Sequence, residues 1–140
     1  FTRQGSFSRG ANLTRCILKG ADLSLADFHG ADIADADLRD ANLSNSNLIE
    51  TDLKRVNLSG ANLTGANLSE SNLRKATLTG ANFKDVRLLE TNLTGVNLSQ
   101  VINLSPKEVT LAIIDKKTKV PDNLEIHWIS DETFECKERP

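Results

Sequence analysis

At 140 residues the chain is long enough for one domain with a sizeable core, and its net charge of −2 gives no support to non-specific binding of nucleic acid or anionic lipid. It has no Tyr, no Met, one Trp and two His. No apolar run approaches the ~18–20 residues needed to span a bilayer.

Charge is segregated along the chain. Residues 1–20 carry Arg3, Arg9, Arg15 and Lys19 with no acid, whereas residues 21–53 carry eight acids against Arg39 alone, a local −7. There is no signal-peptide pattern and no initiating Met, so the sequence is expected to start inside a longer gene product.

Residues 1–10 read as an N-terminal cap. Gly5–Arg9 forms a pentad shifted by one residue, with Phe7 as its centre, Gly10 as the insertion, and Phe7 with Phe1 as plugs. From Ala11 to Gln100 a five-residue unit (small, Asn/Asp, Leu, polar, polar) repeats eighteen times without a break. The centre is Leu in fifteen units and Phe28, Ile33 or Phe83 in the rest. Asn or Asp precedes it except at Ile17, Thr77 and Arg87.

A period of five suits neither common element. On a helix, successive Leu would step about 140° and scatter round the axis. On a continuous strand, an odd repeat sends alternate Leu to opposite faces. The pattern works if each unit is a short strand and a corner, with the small residue and the Leu pointing inward. Asn, Asp, Gly and Ser suit the corners because they tolerate unusual backbone angles or hydrogen-bond locally.

The tandem A-[DN]-L-x-x units of residues 11–100 resemble the pentapeptide-repeat family, most closely its stand-alone cyanobacterial and bacterial members. The resemblance implies an all-β solenoid: a right-handed quadrilateral β-helix with four pentads per turn. This chain would make about four and a half coils, a tower roughly 20 Å long at ~4.8 Å per strand. Residues twenty apart then stack, giving inner ladders such as Leu13–Ile33–Leu53–Leu73–Leu93. An interior filled this way leaves no room for a cofactor, and none is expected.

The β-helix is expected over 11–104 and a C-terminal cap over 105–140. Ser105 reads as an N-cap, Pro106 as the first helical residue and Glu108 as the capping-box partner, so a helix is predicted over 106–116. Lys116, Lys117 and Lys119 suit its C-terminal dipole and Pro121 bars continuation. Leu124–Trp128 alternates like a strand, and Ser130–Glu132 is expected to start a short final helix. The apolar stripe of this segment closes the open coil or forms a dimer contact, so the expected state is a monomer or a C-terminal-end homodimer.

Candidate chemistry is sparse. Cys16 occupies an inward slot and Cys136 the far tail, so no bridge is expected between them. Unpaired thiols point to the cytoplasm; removal of a leader would place the chain in a lumen or periplasm instead. His29 and His127 have no second ligand at metal spacing, and no nucleophile elbow, phosphate loop or carboxylate pair is recognisable. The chain reads as non-enzymatic, with no metal site.

Function therefore falls to the outward columns. Glu50, Glu70 and Glu90 stack at one corner; Lys54, Arg55, Arg74 and Lys75, with Arg15, line the next face; Ile49 and Leu89 share a column with His29 and Ser69. Ile17 and Leu25 are exposed near the first coil. The leading reading is a structural or protein-interaction module that presents rigid faces to a protein partner, without direct nucleic-acid or membrane contact. The alternative comes from the resemblance, since some members mimic B-DNA and bind type II topoisomerases such as gyrase. This chain departs from those members in its near-neutral charge, its acid concentrated in 21–53, its basic face and its lack of an inserted loop.

Overall fold

The computed structural model describes residues 10–140, so the shifted pentad around Phe7 and the plug at Phe1 lie outside the described residues. Parallel bridges link residues twenty apart without interruption at the low end: Asn12 to Asp32, Ile17 to Asp37, Asp22 to Asn42, Asp27 to Asn47. The same spacing continues to Asn82–Ile102. One coil therefore contains four pentads and four corners. Each pentad contributes a single bridging residue, so the sides of the tower are too short to count as regular strands.

The corners are built by two local bonds. At each corner the small residue of the next unit donates its N–H to the carbonyl of the preceding centre, as Cys16 does to Leu13 at 3.2 Å and Ala21 to Leu18 at 3.0 Å. At the corners from Arg15 to Gly95 the intervening residue takes a positive φ, at 61° for Arg15 and 69° for Gly20, as the third residue of a type II turn must. The Asn or Asp before the centre does not simply face outward. Its Oδ1 accepts the N–H two residues on, as Asn42 does from Ser44 at 3.1 Å and Asp52 from Lys54 at 3.0 Å. Asn and Asp recur because their short side chains reach that N–H, an Asx-turn bond.

Inside, the centres from Leu23 to Leu98 are buried, and the small residues pack between them. Hydroxyls in the small-residue slots bond main-chain carbonyls: Thr51 to Phe28, Ser71 and Thr91 both to Leu68. The Ser46 hydroxyl is buried with no hydrogen-bond partner. At the first coil Ala11, Leu13 and Cys16 are only half-buried.

The upper end differs from the sequence reading. After Ile102 the chain turns out of the ladder at Asn103, whose φ is 60°. Helix α1 spans Pro106–Leu111, six residues rather than the eleven expected. It stops because Ala112 is extended (ψ 165°) and returns the chain to the stack, where Ile113 bridges Asn92 and Lys119 bridges Asn97. The lysines at 116, 117 and 119 thus follow the helix without sharing its last turn. Ser105 makes no side-chain cap, and the Glu108 carboxylate closes no capping box, because it accepts the Leu88 N–H at 3.2 Å.

Strand β1, Leu124–Trp128, forms as expected. Ser130–Glu132 starts no helix. It is the bend of a hairpin, with the Ser130 hydroxyl accepting the N–H groups of Glu132 and Thr133. Strand β2, Phe134–Glu138, pairs antiparallel with β1, setting Trp128 opposite Phe134 and Ile126 opposite Cys136. The Trp128 and Phe134 rings lie 5.2 Å apart, an aromatic cross-strand pair that favours the hairpin over a helix. Leu104, Val109, Ala112, Ile114 and Leu124 bury their side chains at this end.

Candidate functional site

The outward columns arise because corner residues of successive coils repeat at the ladder spacing. Glu50, Glu70 and Glu90 are exposed and sit at corner positions with φ of 55°, 60° and 56°. Their N–H groups donate to Ser69, Leu89 and Leu111 carbonyls at 3.0, 2.8 and 2.9 Å, so the backbone under each carboxylate is tied into the ladder. Glu50 also lies 3.6 Å from His29 Nε2.

Beside this column run His29, Ile49, Ser69 and Leu89. Ile49 is half-buried, whereas Leu89 is 49 % exposed. Sequence reasoning ended the column at Leu89, but Leu111 continues it. Its carbonyl receives the Glu90 N–H just as the Leu89 carbonyl receives that of Glu70. Leu111 is also exposed. Only the register shift introduced by α1 places it there, so the twenty-residue rule misses it.

The basic face is less basic than its lysines and arginines imply. Arg55 binds Asp35 of the coil below in a fork, Nε to Oδ1 at 2.7 Å and the second nitrogen to Oδ2 at 3.0 Å. The Arg55 hydrogen bonds and charge hold Asp35 below the usual carboxylate range. Lys54 approaches Asp52 at 3.6 Å. Arg74 and Lys75 are exposed, with no ion-pair partner among the described residues. Asp35 was legible as a neighbour of Arg55, since twenty residues separate them.

The acidic stretch also changes meaning. Asp22, Asp27, Asp32, Asp37 and Asp52 each accept the N–H two residues on through Oδ1, so most of these acids shape corners. Asp37 additionally holds Arg39 in a fork at 2.9 and 2.7 Å. Those bonds lower its pKa to about 2.

Ile17 and Leu25 are 80 % and 61 % exposed, as the repeat places them. Both cysteines are free thiols, half-buried, and burial raises the pKa of Cys136. Among the described residues no cluster of His, Cys, Asp and Glu is arranged to hold a metal ion, and no helix is long and apolar enough to cross a membrane.

Coils of four pentads, joined by parallel bridges and closed by type II corners, define a four-sided β-solenoid whose interior is consumed by packing. The sequence profile for pentapeptide repeats matches eight copies over residues 9–45, 36–74 and 61–100. The chain belongs to the pentapeptide-repeat family. It is similar to the crystal structure of the pentapeptide repeat protein Rfr23 from the cyanobacterium Cyanothece 51142, with 31 % identity and a TM-score of 0.57 over 85 % of this chain and 87 % of that one. A pentapeptide repeat protein from the Arabidopsis thaliana thylakoid lumen is 36 % identical, with a TM-score of 0.39 over 60 % of this chain and 65 % of that chain. HetL from Nostoc sp. strain PCC 7120, described as involved in heterocyst differentiation regulation, is 26 % identical with a TM-score of 0.42, covering 83 % and 70 %. Comparison with curated proteins gave no match.

Proposed function

We propose that this protein is a non-catalytic recognition module: a rigid, right-handed four-sided tower that binds a protein partner through one corner. The contact surface is the glutamate column 50/70/90 with the adjoining apolar column of Ile49 and Leu89, extended by Leu111. Residues 105–140 serve as the lid of the tower. The carrying observation is that each glutamate stands on a backbone N–H bonded to the coil above, which sets the three side-chain attachment points in register at roughly 4.8 Å steps. A partner that presents basic side chains around an apolar strip complements this corner, and a rigid backbone adds little ordering cost on binding. Arg74 and Lys75, one corner further on, set the edge of the patch and repel a basic partner from the next face.

The DNA-mimic reading draws little from the same geometry. Five of the acids in residues 21–53 are spent on their own corners, and Asp35 and Asp37 are also forked to arginines. The test is affinity capture from a native extract with wild type, an Ile49→Asp/Leu89→Asp variant and a control Arg74→Glu/Lys75→Glu variant. A partner retained by wild type and control but lost by the apolar-column variant supports the corner. Equal recovery by all three removes it. Gyrase supercoiling with added protein tests the mimic: no inhibition is expected.

A further inference from the structure

We infer that the junction between the solenoid and α1 is a binding site for a small oxyanion, a carboxylate or phosphate group. A concavity of about 390 Å³ opens there, lined by Lys84, Asp85, Arg87, Asn103, Lys107 and Glu108 among others. It exists because the chain leaves the ladder at Asn103 instead of completing a fourth side.

Three observations point to an anion. First, Lys84, Arg87 and Lys107 are all exposed on its wall, and none has an ion-pair partner among the described residues. The lining holds two acids, Asp85 and Glu108, the latter also accepting the Leu88 N–H, against three cations, so one positive charge is left unbalanced.

Second, Arg87 is costly where it stands. At 27, 47 and 67 the same column holds Asp or Asn, whose Oδ1 accepts the N–H of residue 29, 49 or 69. Arginine has no acceptor to offer, so this corner forfeits a bond that its three predecessors make. The same slot is broken at Ile17 and Thr77, but at Arg87 the replacement is a long cation on the wall of the concavity.

Third, the exposed Asp85 carries a main-chain N–H that has no protein acceptor among the described residues. The corner N–H groups of Leu25, Asn45 and Gly65 below it bond to Ser44, Thr64 and Lys84 carbonyls at 3.0, 2.8 and 2.9 Å. The Asp85 N–H has no acceptor among the described residues, because the carbonyl that would serve it departs with the chain at Asn103. An arginine fork, two ammonium groups and an unused N–H around one concavity supply the donors an oxyanion takes. The six-residue helix contributes the Lys107 charge, not a dipole.

The full chain titrated by ¹H–¹⁵N NMR with inorganic phosphate, and separately with succinate, tests this at constant ionic strength. Saturable movement of the Asp85 amide is expected with at least one of the two. Phosphate alone identifies a phosphate-bearing ligand, succinate alone a carboxylate, and both the shared oxyanion chemistry. Arg87→Gln/Lys107→Gln should weaken saturation by about tenfold, the scale of losing charge-assisted bonds. The control Arg74→Gln/Lys75→Gln removes the same charge elsewhere and should leave it unchanged. No saturable shift at Asp85, or equal weakening in both variants, overturns the site. The substituted residues are exposed, and the single Lys107→Gln variant, expected to weaken binding less, provides a second reading should the double variant melt early.

Discussion

The Asp115 carboxylate accepts the Gly95 N–H at 2.9 Å, in the position where main-chain carbonyls serve the corners of Arg15, Asp35 and Arg55. Glu108 does the same for Leu88. Where the last coil departs from the twenty-residue register, acidic side chains complete the ladder that the backbone no longer can.

This substitution is testable at Asp115. Burial alone would raise its pKa, but donors from Gly95, Lys117 and Thr118 outweigh burial and hold it below the ordinary value. Asp115→Ala leaves the exposed Gly95 N–H to water and should cost about 1 kcal/mol in urea denaturation. Asp115→Asn keeps an acceptor oxygen and should lose less. If the two variants melt together with wild type, the carboxylate carries no share of the upper end.

Asp37 sets a pH dependence. Arg39 holds its carboxyl at about 2, below the 3.8 of an unperturbed Asp. Because the folded pKa is depressed, its stabilising contribution is complete above about pH 4 and is lost as pH falls towards 2. Arg39→Gln should therefore lower the melting temperature at pH 6 relative to wild type, and the gap should close between pH 4 and 2. The pair is surface-exposed, so the gap is small. A gap that stays constant to pH 2 would rule out the linkage.

Ser46 presents the opposite case. Its hydroxyl is buried without a partner, while Ala26 and Ala66 fill the same slot one coil below and above. Ser46→Ala should stabilise by about 1 kcal/mol, since an unsatisfied donor is removed from a site already shaped for Ala. Thr91→Val should destabilise by a similar amount, because its hydroxyl donates to Leu68 O at 2.7 Å. Chemical denaturation of both variants checks the signs.

Gly60 and Gly80 share one column, with φ of 71° and 75°. A Cβ on Gly80 meets only the Gly60 backbone at an ordinary 3.9 Å, whereas a Cβ on Gly60 runs into the Asp40 carboxylate. Gly80→Ala should cost about 1 kcal/mol of backbone strain. Gly60→Ala should cost more, and Asp40→Ala in the same chain should return it to the Gly80→Ala level. Equal losses in the two single variants would show that Asp40 moves aside freely.

Much of the tower is legible in the sequence: eighteen Leu-type centres at one spacing call for a short strand and a corner in each unit, and the four-unit coil is what the resemblance to the pentapeptide-repeat family implies. The stacking of Asp35 beneath Arg55 and of His29 beneath Ile49 follows from the same rule. The rule fails above Ile102. Helix α1 ends at Leu111 because Ala112 must rejoin the ladder, a tertiary demand that no helical stripe announces. The hairpin is set by Trp128 meeting Phe134 across it, and residues 130–132 carry both bend and helix-start chemistry. Leu111 as a continuation of the apolar column, and Asp115 as a surrogate carbonyl, both depend on a register shift that no local pattern encodes.

The bridges between residues twenty apart separate two units of change. Deleting one pentad from the middle of the chain keeps every Leu inward, yet it rotates all that follows by one corner. Glu70 and Glu90 would then leave the line of Glu50, and Arg55 would face a new neighbour. Deleting four pentads together shortens the tower by one storey and leaves every column intact. Natural length variants that keep this surface are accordingly expected to differ by multiples of twenty residues, although the core itself would accept multiples of five.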